Sequence, residues 1–190
     1  MKKVQLLQEP MPYGKVLVVD EKETNINVAK GLLSLYKLHI DSALDGFEAI
    51  RKIRKGCVYD IIFISHAMTQ IDGIETASHM RYIGYDRPVI AVIASAIAEH
   101  TKVFLKSGFN DVLYKPVDIR QLNIILNKHI RDKYPQEVIE KARQSIKKKP
   151  NDRINKDRYR FNRELSGWLR ENVENTNYKE IEQKLVSSRK

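Results

Sequence analysis

The sequence has one cysteine, one tryptophan, six prolines and eight glycines in 190 residues. Cys57 has no partner for an internal disulfide, so a structural thiol in a reducing, cytoplasmic setting is expected. Proline and glycine are too sparse for a fibrous or low-complexity chain, and 42% hydrophobic residues suffice for a packed core. Apolar runs are only a handful of residues long, against the roughly 20 that a membrane-spanning helix needs. After the first three residues, Gln5, Gln8, Glu9 and Pro10 interrupt any apolar stretch, which excludes a secretory-leader pattern. Histidine is scarce too: His39, His79, His100 and His129 lack metal-ligand spacing and are expected at the surface.

The carboxyl-terminal third is short of negative charge. Residues 131–190 carry 17 Lys/Arg against 10 Asp/Glu, a balance of +7, whereas residues 1–130 carry 17 against 14, a balance of +3. Arguments about an electrostatic partner therefore apply mainly to the tail.

From Lys15 to Ile130, short β-branched runs alternate with helical periodicity. Strands are expected at 15–19, 38–43, 61–64, 88–93 and 111–114. Helices are expected at 24–36 (capped by Thr24 or Asn25), 47–56 (closed by Gly56), 74–83, 98–108 (closed by Gly108) and 118–130. Such alternation implies parallel strands joined by right-handed crossovers, an α/β sandwich of three layers. Beyond Ile130 the pattern is helical only: 134–149, then 158–172 with Phe161, Leu165, Trp168 and Leu169 on one face, then 177–186. The chain divides on this reading into a linker (1–13), an α/β domain (14–130) and a basic amphipathic helical extension (131–190).

In an open α/β sheet, ligands and chemistry gather outside the carboxyl ends of the strands. Asp20-Glu21 follows the first strand, Ser65 the third, Ala94-Ser95 the fourth and Lys115-Pro116 the fifth. His66 neighbours Ser65 and should point the other way, since successive strand residues face opposite sides.

The stretches "VLVVDEKETN", "YDIIFISHAMTQIDGIE" and "GFNDVLYKPVD", with the separations between them, resemble the receiver domain of two-component response regulators over residues 14–130. The flanks look most like receivers at the carboxyl end of hybrid sensor histidine kinases. The resemblance implies a flavodoxin-like, doubly wound five-stranded parallel sheet of order 2-1-3-4-5. It also implies a chemistry in which an aspartate after the third strand accepts a phosphoryl group from a partner's histidine. The acidic pair after the first strand helps that aspartate hold Mg²⁺, and the lysine after the fifth offsets phosphoryl charge. A hydroxyl residue after the fourth strand and an aromatic three positions before the lysine report the event.

Half of that set is kept. Asp20 and Glu21 match the acidic pair, and Lys115 matches the lysine. Ser65 stands at the phosphoacceptor position, Ile93 at the hydroxyl switch, Val112 at the aromatic switch, and Thr69 replaces a common proline. A neutral serine hydroxyl needs an activating base to attack anything, and it removes an anionic metal ligand. Ile93 cannot donate a hydrogen bond to a phosphoryl oxygen. The expectation is a pseudo-receiver: no enzyme, no required cofactor, and at most weak Mg²⁺ at Asp20 and Glu21. The alternative for those two and Lys115 is a purely structural charge cluster.

Its expected role is as an interaction module in a two-component pathway, with a protein partner such as a histidine kinase or a second copy. Nucleic-acid binding through the tail is the alternative, but Glu164, Glu171, Glu174, Glu180 and Glu182 dilute the tail's positive charge. A phosphotransfer bundle in the tail is excluded, because residues 131–190 contain no histidine.

Overall fold

Strand β1 (Lys15–Val19) starts the sheet, with all but its first residue buried. Helix α1 (Glu23–Ser34) follows, then β2 (His39–Ala43), α2 (Gly46–Arg54), β3 (Ile61–Ser65), α3 (Gly73–Tyr82) and β4 (Val89–Ile93). Helix α4 (Ala98–Lys106), β5 (Asp111–Tyr114) and α5 (Ile119–His129) complete the alternation. A 3-10 turn at Arg131–Lys133 leads into α6 (Gln136–Lys147). The computed structural model describes residues 9–94 and 98–147. The expected helices at 158–172 and 177–186, the stripe containing Trp168 and the basic residues beyond Lys147 lie outside the described residues, as does Ser95.

All strand pairs are parallel, in the order β2-β1-β3-β4-β5, which is the flavodoxin-like arrangement. Alternate strand residues supply two cores. Leu17, Val19, Ile62, Ile64, Ala91, Ile93 and Val112 join Ala49, Ile50, Ala77, Met80 and Phe104 of α2, α3 and α4 in one cluster. Residues of the opposite parity, including Val16, Val18, Ile61, Phe63, Ile90 and Leu113, are equally buried. They serve the layer formed by α1 and α5. β3 is buried along its full length, as expected of a central strand covered on both faces.

Helix starts follow capping chemistry: Asp45, Asp72 and Asp118 accept from the backbone N–H of Glu48, Glu75 and Arg120. Helix α1 departs from expectation. Its N-cap is Lys22, with no side-chain cap, because a lysine side chain has no acceptor to offer; Thr24 and Asn25 lie inside the helix.

The folded body is larger than the span 14–130. Met11, expected in a linker, is fully buried, and its N–H donates to the Tyr36 carbonyl at 2.6 Å. Glu9 pairs with Arg131 and with Arg143 of α6. The Tyr134 hydroxyl donates to Asp60 at 3.1 Å, and its ring packs on Tyr13 with centroids 4.5 Å apart. Ile139 and Ala142 of α6 are buried. Residues 131–147 thus close over the amino-terminal segment and are not a separate extension. His129 also differs from a surface residue: its side chain is 9% exposed. His39 and His79 are exposed as expected.

Candidate functional site

The parallel register brings the ends of β1, β3 and β5 to one edge of the sheet. Asp20, one residue past β1, is 5% exposed although ionisable. A carboxylate so buried needs its lone pairs answered. Its Oδ1 accepts from the Lys22 N–H at 2.9 Å and from Asn25 Nδ2 at 2.9 Å. Its Oδ2 accepts from Asn25 Nδ2 at 3.0 Å and from Lys115 Nζ at 3.0 Å. Ser65, also buried, places Oγ 3.5 Å from the same ammonium. That distance is at the weak end of hydrogen bonding.

Asp20, Ser65 and Lys115 therefore come together. Glu21 does not join them: its Oε2 accepts from the Thr69 N–H at 2.8 Å and so ties the β1 end to the loop after β3. The expectation that Lys115 answers both acidic residues holds only for Asp20.

Two contributors were missed from sequence. Asn25 was read as a possible helix cap but is clamped on Asp20. Only the register of α1 on its loop turns the amide that way, although the five-residue spacing from Asp20 was visible. The Thr69 N–H is a backbone group with no residue-type signal. Gly73 is a third constraint, because a Cβ there would lie 2.8 Å from the Ser65 carbonyl oxygen and 3.0 Å from the His66 Cα. The chain after β3 can return beside Ser65 only with glycine at that position.

Ile93, 4% exposed, closes the end of β4. Together with Ser65, His66, Val103 and Phe104 it lines an apolar cleft of about 360 Å³. His66 packs edge-on against Phe104, with centroids 4.9 Å apart. The alternation rule is therefore met only in part, because His66 leaves the Asp20–Lys115 pair yet lines the same cleft as Ser65. Val112 is buried in the core. Two residues further along the same strand face, the Tyr114 hydroxyl is 2.6 Å from Thr101 Oγ1 and fastens β5 to α4.

Among the described hydrogen bonds the Ser65 hydroxyl meets only Lys115 Nζ, which also donates to Asp20, so no base is placed there to take the serine proton. The donor set does not fit Mg²⁺ either, since that ion demands near-octahedral oxygen ligation. Both Asp20 oxygens already accept from donors, Glu21 is turned to Thr69, and Ser65 is neutral. Among the described residues no group of three His, Cys, Asp or Glu is positioned to hold a metal.

Lys115→Ala tests how much the pair contributes. Removing one partner of a fully buried ion pair costs roughly 3–5 kcal/mol. The Lys115 side chain is 32% exposed, so water recovers part of that, leaving about 1–2 kcal/mol. A fall in Tm of about 3–6 °C is expected by calorimetry. Millimolar Mg²⁺ should restore part of the loss in the variant while leaving the wild type unmoved. Strong stabilisation of the wild type by low-millimolar Mg²⁺ would refute this account.

Comparisons with known proteins agree with the fold. The family model described as response regulator receiver domain matches residues 16–127. The chain is 36% identical over 118 residues to the osmosensing histidine protein kinase SLN1 of Saccharomyces cerevisiae, covering 59% of this chain and 10% of that protein. Its matched segment is thus a small part of that relative. The solved receiver domain of Francisella response regulator 1452 superposes with a TM-score of 0.59 at 31% identity, covering 64% of this chain and 99% of that one. The receiver domain of Saccharomyces cerevisiae Ssk1, solved in complex with the histidine phosphotransfer protein Ypd1, has the same fold, with a TM-score of 0.59 at 24% identity. Its match covers 64% of this chain and 92% of that one.

Proposed function

The chain belongs to the response regulator receiver domain family, and from that premise we propose that it is a pseudo-receiver, a protein-interaction module that does not run the phosphorylation cycle. Membership places it in two-component signalling. The observation that carries the finer reading is the occupant of the acceptor position. Ser65 is a buried, uncharged hydroxyl held beside Lys115, and Lys115 is itself paired to Asp20. Attack on a phosphorus centre needs an anionic oxygen and a metal to offset charge, and neither is provided by these residues. Ile93 at the switch position lacks a hydrogen-bond donor, so a phosphoryl group would have no reporter.

The module acts in place of catalysis, by docking. Val103 and Leu105 on α4 and Ile124 on α5 are apolar yet 51%, 47% and 65% exposed, which supports a protein partner at the helical faces. Histidine kinases, phosphotransfer proteins and a second copy are the candidate partners, and descent from the end of a hybrid kinase suits the sequence of both flanks. No described helix is long and apolar enough to cross a membrane.

Incubation with acetyl phosphate and Mg²⁺, followed by intact-mass spectrometry, tests the reading. The wild type should gain no phosphoryl adduct. Ser65→Asp should gain one that hydroxylamine removes, because a carboxylate beside Lys115 restores the acceptor. A stoichiometric, hydroxylamine-labile adduct on the wild type would end the pseudo-receiver proposal.

A further inference from the structure

A groove of about 720 Å³ opens at the opposite edge of the sheet, where the strands begin and the segment after α5 folds across them. Its walls come from four separate stretches: the start of β1, the turn before β3, the turn before β4, and the chain after α5. Three cations face it, Lys15, Arg87 and Lys133. None of the three has an ion-pair partner among the described residues, where the ion pairs of Lys52, Lys115, Arg120, Lys128, Arg131 and Arg143 are formed instead. The groove's one carboxylate, Asp60, already accepts from the Lys15 N–H at 2.8 Å and from the Tyr134 hydroxyl at 3.1 Å. Positive charge is therefore in surplus at a concave surface.

The aromatic lining adds to this. Tyr13 lines the groove, while its hydroxyl is buried and has no hydrogen-bond partner among the described residues. An orphaned hydroxyl costs roughly 1–3 kcal/mol unless something accepts from it. Burial, with Glu9 nearby, pushes Tyr13 above the ordinary tyrosine range, so it remains a donor. The half-buried Tyr13 and Tyr134 supply aromatic walls, while Tyr59 is fully buried beneath Lys15, whose Nζ lies 4.9 Å from its ring centroid. His129 adds no charge of its own, because burial and then Lys128 push its imidazole below the usual range against the pull of Asp111.

We propose that this groove binds a phosphate-rich small molecule of nucleotide size, with Lys15, Arg87 and Lys133 on the phosphates. A phosphate chain matches converging, unpaired cations, and the Arg87 fork suits paired phosphoryl oxygens. The volume lies within the range of small-molecule pockets, and aromatic walls suit a base. The site is independent of the degenerate acceptor end, so it stands or falls separately from the reading above.

The test is titration of the full chain with ADP, and separately with pyrophosphate, at low salt, followed by calorimetry and amide chemical-shift mapping. Shifts should cluster at residues 13–15, 58–60, 87–88 and 129–135. Arg87→Ala combined with Lys133→Ala should weaken ADP binding by about tenfold or more. Both side chains lie in exposed residues, so the Tm should not change. No binding of either probe, or shifts centred on Asp20 and Lys115 or on residues beyond Lys147, would overturn the proposal. Binding of an acidic peptide but of neither probe would overturn it as well and assign the groove to a protein partner.

Discussion

Replacing Arg81 with alanine should cost about 3 kcal/mol, because one guanidinium ties the loop before β4 to the loop before β5 through four hydrogen bonds. Its Nε donates to the Gly108 carbonyl at 2.9 Å. Nη1 donates to the carbonyls of Tyr85 and Arg87 at 2.5 and 2.9 Å, and Nη2 to Asn110 Oδ1 at 2.7 Å. Asn110 in turn accepts from the Val89 N–H at 2.8 Å, at the first residue of β4. A hydrogen bond to a charged group contributes roughly 1.5–3 kcal/mol, and four on one side chain do not add. Burial alone would favour losing the charge, and it does push Arg81 below the ordinary arginine range, but guanidinium stays protonated throughout. Urea denaturation should show the loss, with a Tm lower by about 6–12 °C. Arg81→Lys should recover less than half, since a point ammonium cannot reach acceptors spread over a fork. A loss below about 1 kcal/mol for the alanine variant would refute the assignment. Arg81 also fixes the backbone at Arg87, so the same variant should loosen the groove at the start of the strands.

Met11→Ala is expected to cost about 2–4 kcal/mol, as for other fully buried methionines. Met11 is 0% exposed, and its backbone is held on both sides: its N–H donates to Tyr36, and its carbonyl accepts from the Gly14 N–H at 2.9 Å. The cavity left would lie beneath the strap formed by Glu9, Arg131 and Arg143, so that strap should loosen with it. Denaturant unfolding reports the stability change, and hydrogen exchange in α6 should accelerate more than in β3. If Met11→Ala changed stability by less than about 1 kcal/mol, residues 9–13 would be a linker after all.

The helix that covers the amino-terminal segment shows how far local signals reach. The amphipathic period of residues 134–149 was plain in the sequence, and Ile139 and Ala142 are the residues it buries. What that face would cover was not plain, because an apolar stripe states a need for a surface and names none. Glu9 and Arg143 lie far apart in the chain, and only the fold makes them partners.

At the candidate site, the residue types alone carried the main conclusion. Ser65, Ile93 and Lys115 stand where the family resemblance puts an acceptor, a switch and a lysine, and the pseudo-receiver proposal rests on those residue types. The alternation of β-branched runs with helices gave parallel pairing, while the strand order 2-1-3-4-5 came from the family resemblance. Three-dimensional structure decided which charges answer which. Asp20 and Lys115 meet because β1 and β5 end at one edge, and Asn25 completes the carboxylate's shell because α1 begins one turn beyond it. Glu21, one residue from Asp20, faces another loop instead. Periodicity reports how residues are arranged along one element. Side-chain partners depend on how elements are stacked and on where their ends fall, and that information exists only once the sheet is assembled.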